Sequence, residues 1–247
     1  MSGGVAAVVV AAGSGRRMGA GRNKIFLPVG GRPILARTLG LFQLEDEVQT
    51  VVLVASPSEF DQCRAEILQP YGLTKVERLV AGGRTRHESE RNGIEALAPG
   101  IGSGDVEVVV VHDGVRPFTD PAHLRSAIAI ARSEGAALVA VPAQGLVVAR
   151  ADGTLEGDAA GRLWAAQTPQ AFRGPPLLAA HRSAEAEGFE GTDTASVVER
   201  AGHAVHVVEG SYDNLKITTV EDLMLGDEIL RRRRAGRRLL TAEVVHA

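Results

Sequence analysis

Four cationic side chains, Arg16, Arg17, Arg22 and Lys24, fall in one glycine-rich stretch, AAGSGRRMGAGRNK at 11–24, of a chain whose formal net charge is -3. A turn needs glycine but not that much like charge, so the stretch points to an anion. Small residues let the backbone wrap around phosphate oxygens, with Gly13 and Gly15 at the tightest positions. Arginine adds forked contacts and lysine a point charge, a pairing suited to a polyphosphate. The dinucleotide pattern G-x-G-x-x-G fails because Met18 fills its last glycine position. The Walker pattern fails too, because Met18 and Ala20 stand where its second glycine would be, counted from Gly13 and Gly15. Two readings remain: a nucleoside triphosphate loop with side-chain cations, or a surface turn whose cations are solvated.

Further along, Asp113 and Arg116 close the strongest β-run, VEVVVVHD at 106–113. A carboxylate accepts hydrogen bonds and an arginine donates them, so the pair suits a polar ligand; it equally suits a turn held by an ion pair. Taken alone, Lys216 in DNLK reads equally as a functional cation or as a solvated strand-end charge. His112 reads as a structural neighbour rather than an acid or base. The only cysteine, Cys63, excludes an intrachain disulfide, reads as a small apolar filler and fits a reducing compartment. The N-terminal apolar run lacks a basic leader and stops at Gly13, too early for a membrane span, so a cytoplasmic protein is expected. RRRRAGRR at 231–238 suggests nucleic acid or an anionic membrane by composition. Its place at a helix C-terminus, where cations complement the dipole, favours a solvated helix end with neither partner.

The elements that must hold these residues follow a strand–helix alternation. Apolar runs at 5–12, 50–55, 75–80, 106–113 and 136–142 read as strands. Helices are expected over RPILARTLGLFQ with Pro33 in the first turn, from Ser56-Pro57, over 85–97, over 121–134, over 175–187, and from Thr192 or Asp193 to Arg200. A last helix is capped by Thr218 or Thr219. This spacing predicts an α/β protein: a single doubly wound, mostly parallel sheet, Rossmann-like, with ligands at the carboxyl ends of its strands. Residues 142–168 break the alternation. LVVAR and RLWAAQT around Asp152-Gly153 predict a protruding β-arm that packs on a partner subunit, with Trp164 as its anchor. The domain is expected over 1–230, with 231–247 a basic helix end and tail. The 247 residues, 45% hydrophobic, suffice for one sizeable core.

AAGSGRRMG…NKIFLPVGGRPIL resembles the signature of sugar-phosphate nucleotidyltransferases. With HDGVRPF, AAQTPQAF, GTDTASVVE and DNLKITTVEDL, it resembles the cytidylyltransferases that make CDP-methylerythritol for isoprenoids; the ordered match runs from about Val5 to Leu225. The resemblance implies that the phosphate of a sugar alcohol attacks the α-phosphorus of CTP and expels pyrophosphate. It gives Arg17, Lys24 and Lys216 catalytic roles on the phosphates. It places Ala11, Ala12, Gly13, Gly15, Gly83 and Ser89 on the nucleotide. Asp113 and Arg116 would meet the polyol hydroxyls, and Thr168 and Thr192 the acceptor phosphate. Mg²⁺ would be held mainly by nucleotide phosphates, with no protein metal site, and the protein would be a homodimer.

Two positions depart from the pattern. Gly145 and Leu146 stand where the family has Asp and Thr, and Ala160 where it has an arginine reaching the acceptor phosphate. Arg162, two residues on, takes that role if the arm shifts, and Arg84, Arg86 or His87 are further substitutes, although a solvated helix start is the simpler reading for most of them. The nucleotide half is thus intact and the acceptor half altered. That leaves open another acceptor, such as ribitol phosphate, or a CTP-binding regulator without turnover.

Overall fold

The computed structural model describes residues 3–13, 22–143, 147–149, 155–158 and 163–244. Its frame is a seven-stranded sheet. In chain order the strands are β1 Gly4–Val10, β2 Val48–Ala55, β3 Val76–Ala81, β4 Val106–Asp113, β5 Ala136–Pro142, then β8 Trp164–Arg173 and β9 His206–Glu209. Between β5 and β8 lies a separate antiparallel hairpin, β6 Val147–Ala149 with β7 Leu155–Asp158. The sheet order is β9-β5-β8-β4-β1-β2-β3. Every neighbouring pair is parallel except those made by β8, which runs antiparallel to both β4 and β5.

The sheet is buried on both faces, as its near-continuous apolar strands demand. In β1, Val5, Ala7 and Val9 point into one core and Ala6 and Val8 into the other. The first core is closed by α1 (Ile34–Leu44), by Cys63 and Ile67, by α3 (Pro121–Glu134) and by Ile229 of α6 (Val220–Val244). The second is closed by α2 (Arg86–Glu95), α4 (Gly174–Glu187) and α5 (Thr194–Arg200). The doubly wound sheet expected from the sequence is therefore present. Among the described residues no helix is long and apolar enough to cross a membrane.

Gly93 shows how α2 is brought against the sheet. A Cβ there would lie 2.4 Å from Val8 Cγ1 and 2.7 Å from Val54 Cγ2. Only a glycine permits this approach, which sets the polar N-terminal half of α2 at the strand ends.

Several local expectations need correction. RLWAAQT does not pair within the arm: LVVAR pairs instead with LEGD, and β8 enters the main sheet. The excursion from the sheet is thus shorter than residues 142–168. Buried Gln167, Thr168 and Gln170 hid this strand, because polar residues in TPQ read as a turn. Pro33 is the N-cap of α1 and lies outside its first turn. Ser56 makes no cap bond; its hydroxyl meets Ser58 Oγ at 2.8 Å, and a 3₁₀ turn, a short α-segment and a π-helical segment, Cys63–Leu68, follow. The domain edge at 230 falls inside α6, which runs unbroken to Val244. The first part of the basic run is tied down: Arg231 pairs with Glu228, Arg232 and Arg233 pair with Asp213, and Arg233 also donates to the Phe118 carbonyl.

Candidate active site

The carboxyl ends of β1, β3 and β4 open into one cleft of about 490 Å³. Its walls carry Ala11, Ala12 and Gly13 after β1, and Gly83, Arg84 and Arg86 after β3, with Ser89 on α2. Asp113 lies at the end of β4, and Lys24 and Lys216 also line the cleft. Sequence reasoning placed Ala11, Ala12, Gly13, Lys24, Gly83, Ser89, Asp113 and Lys216 at one site, and the fold brings all of them to this cleft. Gly15, Arg17 and Arg162, together with Gly145, Leu146 and Ala160, lie outside the described residues.

Local bonds set each wall. Ala11 N–H donates to the Val54 carbonyl at 2.7 Å and Gly114 N–H to the Val10 carbonyl at 2.9 Å, carrying the sheet pattern past the strand ends. Asn23 Nδ2 donates to the Gly13 carbonyl at 2.9 Å, while its Oδ1 accepts from Ile25 N–H at 3.3 Å. This buried asparagine fixes the two flanks of the glycine-rich stretch against each other. Lys24 Nζ, on the downstream flank, donates to the Ile217 carbonyl at 3.1 Å, next to Lys216 in the chain. Arg22 is engaged elsewhere: it pairs with Glu66 at 2.7 Å and sits over the Phe26 ring, so it is not part of the cleft wall. Opposite, Ser89 Oγ accepts from Gly83 N–H at 3.0 Å and donates to the Thr85 carbonyl at 2.9 Å. The hydroxyl's proton is thereby spent on the protein, and a lone pair is left for a ligand donor.

At the centre is Asp113, buried and shared among cations. Its Oδ1 meets Arg86 Nη1 at 2.5 Å; its Oδ2 meets both Arg116 Nε and Lys216 Nζ at 3.1 Å. Burial works to raise this carboxyl, but the Arg86, Lys216 and Arg116 charges overcome it and hold it far below the usual carboxylate range. Arg116 also donates to the Asn214 carbonyl at 2.8 Å. Asn214, itself buried, donates to the Thr168 carbonyl at 2.8 Å and accepts from Thr119 Oγ1 at 2.9 Å. The turn before Lys216 is thus bonded to both β8 and the β4–α3 connection.

Four readings shift with this geometry. Both oxygens of Asp113 are taken by cations, so the carboxylate organises positive charge as well as facing the cleft. Thr168 is 2% exposed and its hydroxyl accepts the Asp113 N–H at 3.1 Å, so in this structure it holds the strand end. Thr192 is exposed, 3.5 Å from Ser196 Oγ, and is not among the cleft's lining residues. Arg86 is no solvated helix start: it bridges Asp113 and the buried Glu90, whose Oε1 lies 2.8 Å from Arg86 Nε. Sequence reasoning missed Asn23, Asn214 and Glu90. The first two stand beside residues already singled out, in NK and DNLK; Glu90 carries no local signal. His112 is wholly buried, its imidazole pushed down to about 4 by burial, so it stays neutral, and it is not among the cleft's lining residues.

Comparison with known proteins agrees with this geometry. The family model for 2-C-methyl-D-erythritol 4-phosphate cytidylyltransferase matches residues 5–232. The enzyme of that name from Geotalea uraniireducens is 45% identical over 228 residues, covering 92% of this chain and 97% of its own length. The one from Alkaliphilus metalliredigens is 43% identical, covering 94% and 95%. Among solved structures, 4-diphosphocytidyl-2C-methyl-D-erythritol synthase from Anaerococcus prevotii superposes with a TM-score of 0.80 at 30% identity, covering 93% of this chain and 97% of that one. The Thermus thermophilus cytidylyltransferase gives 0.71 at 31%, covering 91% and 98%. With its cleft of converging cations and its match over nearly the full length, the chain belongs to the 2-C-methyl-D-erythritol 4-phosphate cytidylyltransferase family of nucleotidyltransferases.

Proposed function

We infer that this cleft carries out the reaction that gives the family its name: CMP passes from CTP to 2-C-methyl-D-erythritol 4-phosphate, yielding CDP-methylerythritol and pyrophosphate. The observation that carries the reading is the meeting of Lys24, Lys216 and Arg86 around one cleft, from parts of the chain far apart in sequence. A phosphate oxygen of the acceptor attacks the α-phosphorus, and the bond from that phosphorus to the bridging oxygen of the leaving pyrophosphate breaks. The nucleophile is already anionic near neutral pH, so no general base is needed. The chain's task is to bring anions together and stabilise charge at the transferring phosphorus.

Lys24, bonded to the Ile217 carbonyl, and the adjoining Lys216 supply that charge side by side, joined by Arg17 of the glycine-rich stretch. The open lone pair of Ser89 Oγ accepts from the cytosine amino group, with backbone groups of Ala11, Ala12 and Gly83 completing the base edge. A Cβ at Gly82 would fall 2.2 Å from Ala12 Cβ, so glycine there lets the connections after β1 and β3 approach closely at the base-binding wall. Arg116 and Arg162 serve the acceptor, while Thr168 keeps the strand end in place and Thr192 lies outside the cleft lining. Among the described residues no group of three or more His, Cys, Asp or Glu side chains is placed to hold a metal ion. With both Asp113 oxygens bound to cations, the donor set fits Mg²⁺ carried in on the triphosphate oxygens. Bound there, it would neutralise phosphate charge.

Pyrophosphate release decides the reading. Release with CTP and methylerythritol phosphate, stopped by a chelator, is expected. Preference for ribitol 5-phosphate would replace it with a paralogue's reaction, and tight CTP binding without turnover on either acceptor would replace it with a regulator.

A homodimer in the cytoplasm completes the proposal. The β6–β7 hairpin pairs with no strand of the main sheet, and Leu163 and Trp164 beside it are large apolar side chains left exposed, which supports a second chain docking there. Sedimentation at the mass of two chains at micromolar concentration is expected; a single-chain mass overturns it. Cys63, buried and with its thiol pushed up to about 11 by that burial, suits a reducing compartment.

A further inference from the structure

Behind the cleft wall runs a chain of polar contacts that the reaction as derived above does not use. Thr194 Oγ1, at the start of α5, donates to Glu90 Oε2 at 3.0 Å. Glu90 Oε1 lies 2.8 Å from Arg86 Nε, and Arg86 Nη1 lies 2.5 Å from Asp113 Oδ1. Asp113 Oδ2 then reaches Lys216 Nζ. Glu90 and Thr194 are both 0% exposed. A carboxylate removed so completely from water is a cost to folding, and an apolar residue in its place is often neutral or stabilising. Its position therefore calls for a reason other than stability.

We propose that Glu90 is a positioning residue for Lys216, acting through Arg86 and Asp113. The argument is geometric. The Arg86 guanidinium makes two ion pairs at once, through Nε with Glu90 and through Nη1 with Asp113, and these hold it between the two carboxylates. While Arg86 is held this way it engages only one oxygen of Asp113. The other oxygen stays turned toward Lys216 and Arg116. Without the Glu90 charge, Arg86 is free to take both Asp113 oxygens in the fork geometry that arginine prefers with carboxylates. Lys216 then loses the contact that holds its ammonium at the cleft wall. The proposal rests on the assignment of Lys216 to the reacting phosphates.

The groups facing Glu90 are Arg86 on its own helix, Asp113 from β4, and Asp193 and Thr194 at the start of α5. Burial, against the pull of Arg86 and Thr194, pushes the Glu90 carboxyl up to about 7. The tether is therefore made and lost across neutral pH. Wild-type kcat should rise as Glu90 ionises, in addition to any limb from the acceptor phosphate, which every variant shares.

Glu90→Gln keeps the shape and removes the charge. The expected result is a kcat about tenfold lower at pH 8, with KM for CTP within twofold, and no limb near neutrality. Thr194→Val removes a hydrogen bond that favours the ionised carboxylate, so the limb should move to higher pH and remain visible. Because the Glu90 carboxyl is raised in the folded chain, its contribution to stability is present below the ordinary glutamate range and lost as pH rises through about 7. The Gln variant should accordingly melt no lower than wild type at pH 8. Wild-type kcat and pH profile in Glu90→Gln would overturn the proposal, as would a loss of kcat matched by a lower melting temperature at pH 8. Lys216→Ala, run alongside, separates the two levels. If that variant stays active, the assignment of Lys216 fails; if it is inactive while Glu90→Gln behaves as wild type, only the tether fails.

Discussion

Lys24→Ala is expected to lower kcat/KM by about a thousandfold while leaving a cooperative, wild-type-like melt. The magnitude is that of removing one preorganised group aimed at transition-state charge, about 10²–10³ in rate, with weakened ground-state binding of the triphosphate added. The fold should survive because Lys24 is half-buried at the cleft edge. Its neighbours Ile25 and Phe26, not the ammonium, pack into the core. The Asn23 bonds to Gly13 and Ile25 do not involve its side chain. Steady-state pyrophosphate release and a thermal melt on the same preparation check both halves. Activity within threefold of wild type would remove the phosphate contact from Lys24, and with it the clearest reason for the basic stretch.

Asp113→Ala is expected to do more, because it damages stability and chemistry together. The carboxylate is the common partner of Arg86, Arg116 and Lys216. Deleting one member of a buried charge cluster leaves the others uncompensated and typically costs about 3–5 kcal/mol. For a chain of this size that is a fall on the order of 10 °C in melting temperature. Arg86 retains Glu90 and Arg116 retains the Asn214 carbonyl, which keeps the loss within that range. Turnover should fall below about one-thousandth, since Lys216 loses its anchor while the cleft gains unscreened positive charge. Asp113→Asn, which keeps the volume and the Thr168 bond to the backbone, should recover part of the stability and little of the activity. Calorimetry and pyrophosphate release on both variants test this. An alanine variant with unchanged melting would mean that solvent already screens the cluster.

Most of the architecture could be read from the chain because its strands are covered on both sides. VEVVVVHD has no polar face to show, and its expected limits coincide with β4. Helix starts with a true cap were equally plain: Asp120 accepts from Ala122 N–H and Asp193 from Ser196 N–H. What escaped was polarity that folding hides. Gln167, Thr168 and Gln170 look like a turn, yet they lie in a central strand because their partners, among them Asn214 and Asp193, come from distant segments. RHESERNG looks like a solvated face for the same reason. His87, Ser89 and Glu90 are buried in it, each behind groups that no local periodicity can reveal. Lys24 and Lys216, which line the cleft, were legible in short motifs; the residues that hold them in place were not, because their partners are set by tertiary contact alone.

The bonds from Arg232 and Arg233 to Asp213 bear on the order in which this molecule is made. Asp213 begins the turn that presents Lys216, and its partners are added to the growing chain only with the final helix. A ribosome-bound fragment that stops short of residues 232 and 233 already carries the glycine-rich stretch and the strands of the sheet, but the turn bearing Lys216 is not yet braced through Asp213. Synthesis from the N-terminus thus leaves that turn to settle last, after the frame it docks on.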